Sequence, residues 1–195
     1  MEFRSNFSEV IKKTNVENVS IIPSSSHLIA AEKLLLNEIG AELNLKNQIE
    51  TLNKEHFDYL LIDCPPTLNI LALNALTAVS VLLVPVEAHV MALHGLVQLL
   101  KTVNHVKRKL NPNLSIAGIL ACRVDTRTKH SKDVIAQLKS RFEGQVYNTV
   151  IRENVKLAEA PLHLKPVLHY DKSCNGSLDY LSLADELINQ EKTNL

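Results

Sequence analysis

Apolar residues in this chain follow two rhythms. In one they recur every three or four positions, as in "SEVIKKT", "SSSHLIAAEKLLLNEI", "ELNLKNQIETLNKEH", "SKDVIAQLKSRF" and "GSLDYLSLADELINQ"; that spacing predicts helices. In the other they form short continuous runs: "NVSIIP", "FDYLLID", "VSVLLVPV", "LSIAGILAC" and "VYNTVI" read as strands. A short helix near "ILALNALTA" and a long one from about Met91 to Leu110 complete the alternation. Ser8 is the candidate cap of the first helix, Pro23 ends the first strand, and Gly40 separates the second helix from the third. The strands lack the polar alternation of a half-exposed sheet, so they suit a parallel sheet covered on both faces. The predicted fold is α/β, doubly wound, with a mostly parallel sheet and helices on both faces, in one domain over 1–195. Residues 70–100 are apolar for a long way. Asn74, Ser80, Pro85, Glu87, His89 and His94 interrupt them, and no clean run reaches the roughly 20 residues a bilayer requires. A buried helix–strand–helix passage is predicted there.

Charge narrows the partners. Lys and Arg number 21, Asp and Glu also 21, so no global basic field exists and nucleic-acid binding would need a local patch. Lys129, Lys132, Lys139, Arg141, Arg152 and Lys156 are the candidates, since phosphate contacts need only charge and reach. The alternative is ordinary solvated charge. No aromatic interleaving suggests single-strand stacking. The three cysteines, Cys64, Cys122 and Cys174, are far apart and odd in number, as expected of buried thiols in a reducing compartment. The eight histidines show no HExxH spacing and no Gly-x-Ser-x-Gly occurs, so neither zinc nor a hydrolase elbow is expected. "MEFRSNFSEV" has no apolar core of signal-peptide type.

In doubly wound sheets ligands sit beyond the carboxyl ends of strands. Asp63, Pro85 to Glu87, and Arg123 to Arg127 stand at such ends. A carboxylate after an apolar strand costs free energy unless something pairs with it. Two readings of Asp63 stand: a magnesium-side aspartate beside a nucleotide triphosphate, or a cap accepting backbone N–H bonds. Pro65 and Pro66 fix the backbone directly after it and remove two donors, which suits a shaped loop.

"FDYLLIDCPPTLNILALNALTA" resembles the Walker B strand and following loop of the ParA/Soj family of partition ATPases. "VLLVPVEAHVMALHGLVQLLKTV", "GILACRVDTRTKHSKDVI" and "YNTVIRENVKLAEAPLHLKPVLHYDKSCNGSLDYLSLADEL" resemble the segments that follow in that family, and "NVENVSIIPSSSHLIAAE" the segment ahead of Walker B. The likeness runs in order along nearly the whole chain. It implies a P-loop NTPase-like fold and a role in chromosome or plasmid partition. It also implies ATP and magnesium, with Asp63 holding Mg²⁺ through water. Pro65, Arg123, Asp125 and Pro161 would lie near the nucleotide, and Arg123, Asp125 and Arg127 near the base or the dimer face. The partners implied are non-specific double-stranded DNA, a ParB-like centromere-binding protein and a second copy or full-length relative. The expected location is cytoplasmic and nucleoid-associated, with no membrane. One departure stands out: "I-R-E-N" replaces the usual "I-P-R-N", so Arg152 comes one place early and Glu153 takes the place of an arginine.

The family's K-G-G-x-G-K-T phosphate loop does not occur in these residues. Gly40, Gly95, Gly118, Gly144 and Gly176 are the only glycines; none precedes lysine and no pair has G-x-x-x-x-G spacing. The D-x-D-P-Q strand end is missing too. The chain is expected to be a domain truncated before residue 1, with exposed apolar edges and poor solubility. A non-catalytic relative that dimerises with a full-length ATPase is the alternative. A membrane-surface ATPase like MinD is disfavoured, because the closing helix carries Asp179, Asp185 and Glu186 rather than a basic face.

Overall fold

The computed structural model describes residues 7–52, 57–65 and 67–194. The chain divides into two compact units. The first comprises 1–80 with 103–114, the second 81–102 with 115–195.

The first unit opens with helix α1 (Phe7–Val10), then strands β1 (Lys12–Lys13) and β2 (Ser20–Ile21), which pair antiparallel. Ser8 lies inside α1 rather than ahead of it, so it does not occupy the expected cap position. Helix α2 (His27–Leu35) buries no side chain, and Ile29, Leu34 and Leu36 are exposed on or just after it. Gly40 takes φ 77, a left-handed turn that glycine adopts without steric cost. It leads into a 3₁₀ turn (Ala41–Leu43) and α3 (Asn44–Glu50). Helix α4 (Ile70–Ala78) is capped by Asn69, whose side chain accepts from the Ala72 N–H at 3.1 Å.

Polar side chains fix the packing of α4. Buried Asn74 donates to the carbonyls of Ala41 and Ile70 and accepts from the Leu45 N–H. The Thr77 hydroxyl reaches the carbonyls of Glu42 and Leu73. Asn111 donates to the carbonyls of Leu76 and Val79, finishing the helix. Each buried polar atom is thus satisfied, and the geometry is specified as well as stabilised.

The expected strand "FDYLLID" is not one. Residues 57–65 form neither strand nor helix, and Phe57, Tyr59, Leu60 and Leu61 are exposed, Leu61 by 90%. A strand exists through its partner, and the ladder β1–β2 does not include this segment. Pro66 lies outside the described residues.

The second unit holds the parallel sheet. Strand β3 (Val81–Glu87) leads to α5 (Val90–Lys109), whose last turns belong to the first unit. Then come β4 (Ser115–Val124), α6 (Lys129–Arg141), β5 (Val146–Arg152), α7 (Val155–Glu159), a 3₁₀ turn (Ala160–His163), α8 (Val167–Tyr170) and α9 (Asn175–Asn194). The order is β3-β4-β5, all parallel, as the unbroken apolar runs predict. Central β4 is buried on both faces. Ile119 and Ala121 pack with Val84, Leu93, Leu96, Val134 and Leu138. Leu120, pointing the other way, meets Tyr147, Ile151 and Leu183 of α9. Gly118 lets the Tyr147 ring cross β4: a Cβ there would stand 2.6 Å from it. Pro85 sits on β3, which among the described residues pairs with β4 alone, and an edge strand tolerates a missing N–H.

Candidate functional site

The carboxyl ends of β3, β4 and β5 meet in the second unit, as the doubly wound rule requires. Glu87 ends β3 and takes the Arg123 guanidinium at 3.0 Å, an exposed pair. Between Ala121 and Val124, β4 carries one more residue than β5 does opposite. Arg123 falls in this irregularity with φ 51. A left-handed arginine costs roughly 1 kcal/mol, and such strain concentrates at working ends of folds.

"DTRT" forms a self-contained turn. Asp125 accepts from the Arg127 N–H, Nε and Nη2 at 3.0, 3.0 and 2.9 Å. Those bonds hold its carboxyl down at about 2. Thr128 accepts from the Ser131 N–H and so caps α6. Val124, Asp125, Thr126, Arg127, Arg152 and Glu153, with Asn175, line an open cleft of about 360 Å³. Half-buried Cys122, two residues before Val124, has its thiol pushed up to about 11, mainly by burial.

Arg152 is not solvated charge. Its Nε and Nη2 grip the buried Asp179 carboxylate, at 2.6 Å for Nη2, and its own N–H donates to the same group. Glu153, which stands where the family's arginine is usual, is exposed beside it. Lys156 is likewise held, by Glu159 at 2.9 Å, and lies 5.6 Å from the centre of the Tyr170 ring. Tyr170 donates to Glu159 and stacks on His163 at 4.9 Å. Pro161 is in the first turn of the 3₁₀ segment, where its lost donor goes unused.

The remaining expected cations all lie on α6. Lys129, Lys132, Lys139 and Arg141 are exposed. Ser131, Val134 and Leu138 mark the buried stripe. At about 100° per residue Lys132 and Lys139 share one flank of that stripe, Lys129 points outward and Arg141 lies on the other flank.

Asp63 and Pro65 belong to the first unit. Asp63 is exposed and makes no hydrogen bond or ion pair with another described residue; Asn69, not Asp63, caps the next helix. Pro65 is exposed in the same irregular segment. The structure therefore gathers Arg123, Asp125, Arg127 and Arg152 at one sheet end. Sequence reasoning missed the tasks of Glu87, Glu159, Asp179 and Glu186. The last two stand seven apart on one helix face, which was the available signal.

Among the described residues no three His, Cys, Asp or Glu side chains converge on a metal position, and no helix is long and apolar enough to cross a membrane. Nor do the residues present fit a nucleotide's phosphates. Gly95 and Gly176 are inside helices and Gly118 inside a strand, while Gly40 and Gly144 are isolated turns. Arg123, Arg127 and Arg152 already face carboxylates.

A family model described as an AAA domain matches residues 2–116. The chain is 44% identical over 179 residues to the sporulation initiation inhibitor protein Soj of Bacillus subtilis, spanning 92% of this chain and 70% of that one. It is 41% identical over 185 residues to the chromosome-partitioning ATPase Soj of Treponema pallidum, spanning 95% and 73%. Among solved structures it is similar to cobyrinic acid a,c-diamide synthase of Mycobacterium smegmatis with bound ADP and magnesium. That match has a TM-score of 0.81 at 30% identity, over 98% of this chain and 70% of the other. Apo McdA of Cyanothece, with a TM-score of 0.79 at 22% identity over 96% and 73%, shares the fold.

Proposed function

Because the chain belongs to the ParA/Soj family of chromosome-partitioning ATPases, we propose that it acts in DNA segregation through its α6 surface and its nucleotide-facing sheet end. The 44% identity to Soj, over 92% of the chain, carries this reading.

Asp63 is the metal-side aspartate of the nucleotide site: its carboxylate is exposed, uncommitted to other described residues and followed by Pro65. By the same family likeness Arg123, Asp125 and Pro161, all of the second unit, are base-side residues. The phosphates are held by a glycine-rich loop supplied from outside these 195 residues. A second copy or a full-length relative is the dimer partner, a ParB-like protein the stimulator, and the nucleoid the place of action. The exposed apolar side chains of the first unit, Leu60, Leu61, Ile29 and Ile39 among them, favour a partner of this kind.

Non-specific DNA is bound by Lys129, Lys132, Lys139 and Arg141. Arg152 and Lys156 drop out of this surface because Asp179 and Glu159 neutralise them. Filter binding to unrelated duplexes over a salt series tests it. Affinity should fall steeply with salt and equally for every sequence, and Lys132→Ala with Lys139→Ala should lower the salt slope by about 2. A flat salt response, or preference for one duplex, would contradict it.

A further inference from the structure

Among the described residues, the outer edge of β5 is met by side chains instead of a strand. Between residues 146 and 150, β5 carries two more residues than β4 does between 119 and 121, and the ladder is interrupted. The consecutive N–H groups of Asn148 and Thr149 both donate to Glu186, one to Oε1 and one to Oε2, each at 2.8 Å. Further along, the Arg152 N–H donates to Asp179 at 2.9 Å. Gln190 donates to the Ala117 carbonyl at 2.8 Å and accepts from the Tyr147 hydroxyl at 3.1 Å. Positions 179, 186 and 190 fall on one face of α9, two turns and then one turn apart.

An open strand edge presents a row of donors that templates pairing with another chain. β5 reads "VYNTVIR", rich in β-branched and aromatic residues and carrying one charge, the composition that pairs most readily. We propose that the acidic face of α9 is a guard on this edge: Asp179 and Glu186 take the donors that the β5 strand of a second copy would otherwise take. The charge of Asp179 is matched by Arg152, but Glu186 leaves a negative charge on the edge, so a copy approaching there meets repulsion as well as occupied donors.

Hydrogen exchange read residue by residue on the 195-residue chain, with sedimentation at several concentrations, tests this. In Glu186→Ala the amides of Asn148 and Thr149 should exchange at least about tenfold faster. The Arg152 amide should keep its wild-type rate, and association should rise with concentration beyond that of the unmodified chain. Glu186→Gln retains one acceptor and serves if the alanine variant misfolds; it should expose one of the two amides. Wild-type exchange at both amides in either variant would overturn the guard. Faster exchange without added association would overturn its role against pairing.

Discussion

Helix α4 takes its cap from Asn69, and that leaves Asp63 a carboxylate without a structural task among the described residues. A cap and a metal ligand ask different things of the same side chain. Asparagine accepts a hydrogen bond about as well as aspartate, but it lacks the charge that orders a divalent cation and its water. In a chimera carrying the glycine-rich loop of a relative, Asp63→Asn should therefore leave the circular dichroism unchanged and lower phosphate release by about a hundredfold or more. Equal turnover in the two chimeras would show that Asp63 has no metal role. At this scale the sequence was partly legible. "LLIDCPP" marked Asp63 because a charge ends an apolar run. Arg152 and Lys156 looked like surface charge, because nothing in their own neighbourhood shows that Asp179 and Glu159 lie across from them.

Elements differ in how much of them is local. α5, α6 and α9 follow from period alone, and β3, β4 and β5 from unbroken apolar runs. "FDYLLID" has the same composition and forms no strand, because composition supplies the preference and a neighbour supplies the ladder. The reverse case is α9, whose acidic residues marked only the lack of a basic face and in the structure take N–H groups of β5. Glu186 carries a testable consequence. Burial by itself would raise its pKa, but the bonds from Thr149 and Asn148 outweigh that and hold it below the ordinary glutamate value. A carboxylate depressed in the folded state stabilises above its unfolded value, and that contribution disappears as pH falls through the folded one. Tyr147, Lys139 and Glu143 face the same groove, and Glu191 adjoins it; Tyr147 is pushed up to about 12, by burial first and then by the charges of Glu186 and Glu191. The chain should exceed Glu186→Gln in stability by about 1–2 kcal/mol at neutral pH, with the gap closing from about pH 5 downward. Urea midpoints across that range measure it. A gap that persists at low pH would show that the carboxylate's charge is not what the bonds depend on.

At the scale of the molecule, a well-packed parallel sheet in one unit accompanies a first unit rich in exposed apolar side chains. Fold class and family were legible because they rest on the order of many elements. Which residues meet at the sheet end was less so, since that depends on irregular register in β4 and β5. The central claim is that Asp63 serves as a metal-side aspartate only alongside a glycine-rich phosphate loop, which is not among these 195 residues. Phosphates concentrate a nucleotide's charge, and the cleft's arginines already face carboxylates. Calorimetric titration of ATP with magnesium into the 195-residue chain, beside the chimera that supplies the loop, tests this most directly. The account requires no measurable binding by the chain and binding by the chimera. Micromolar affinity in the chain alone would contradict it.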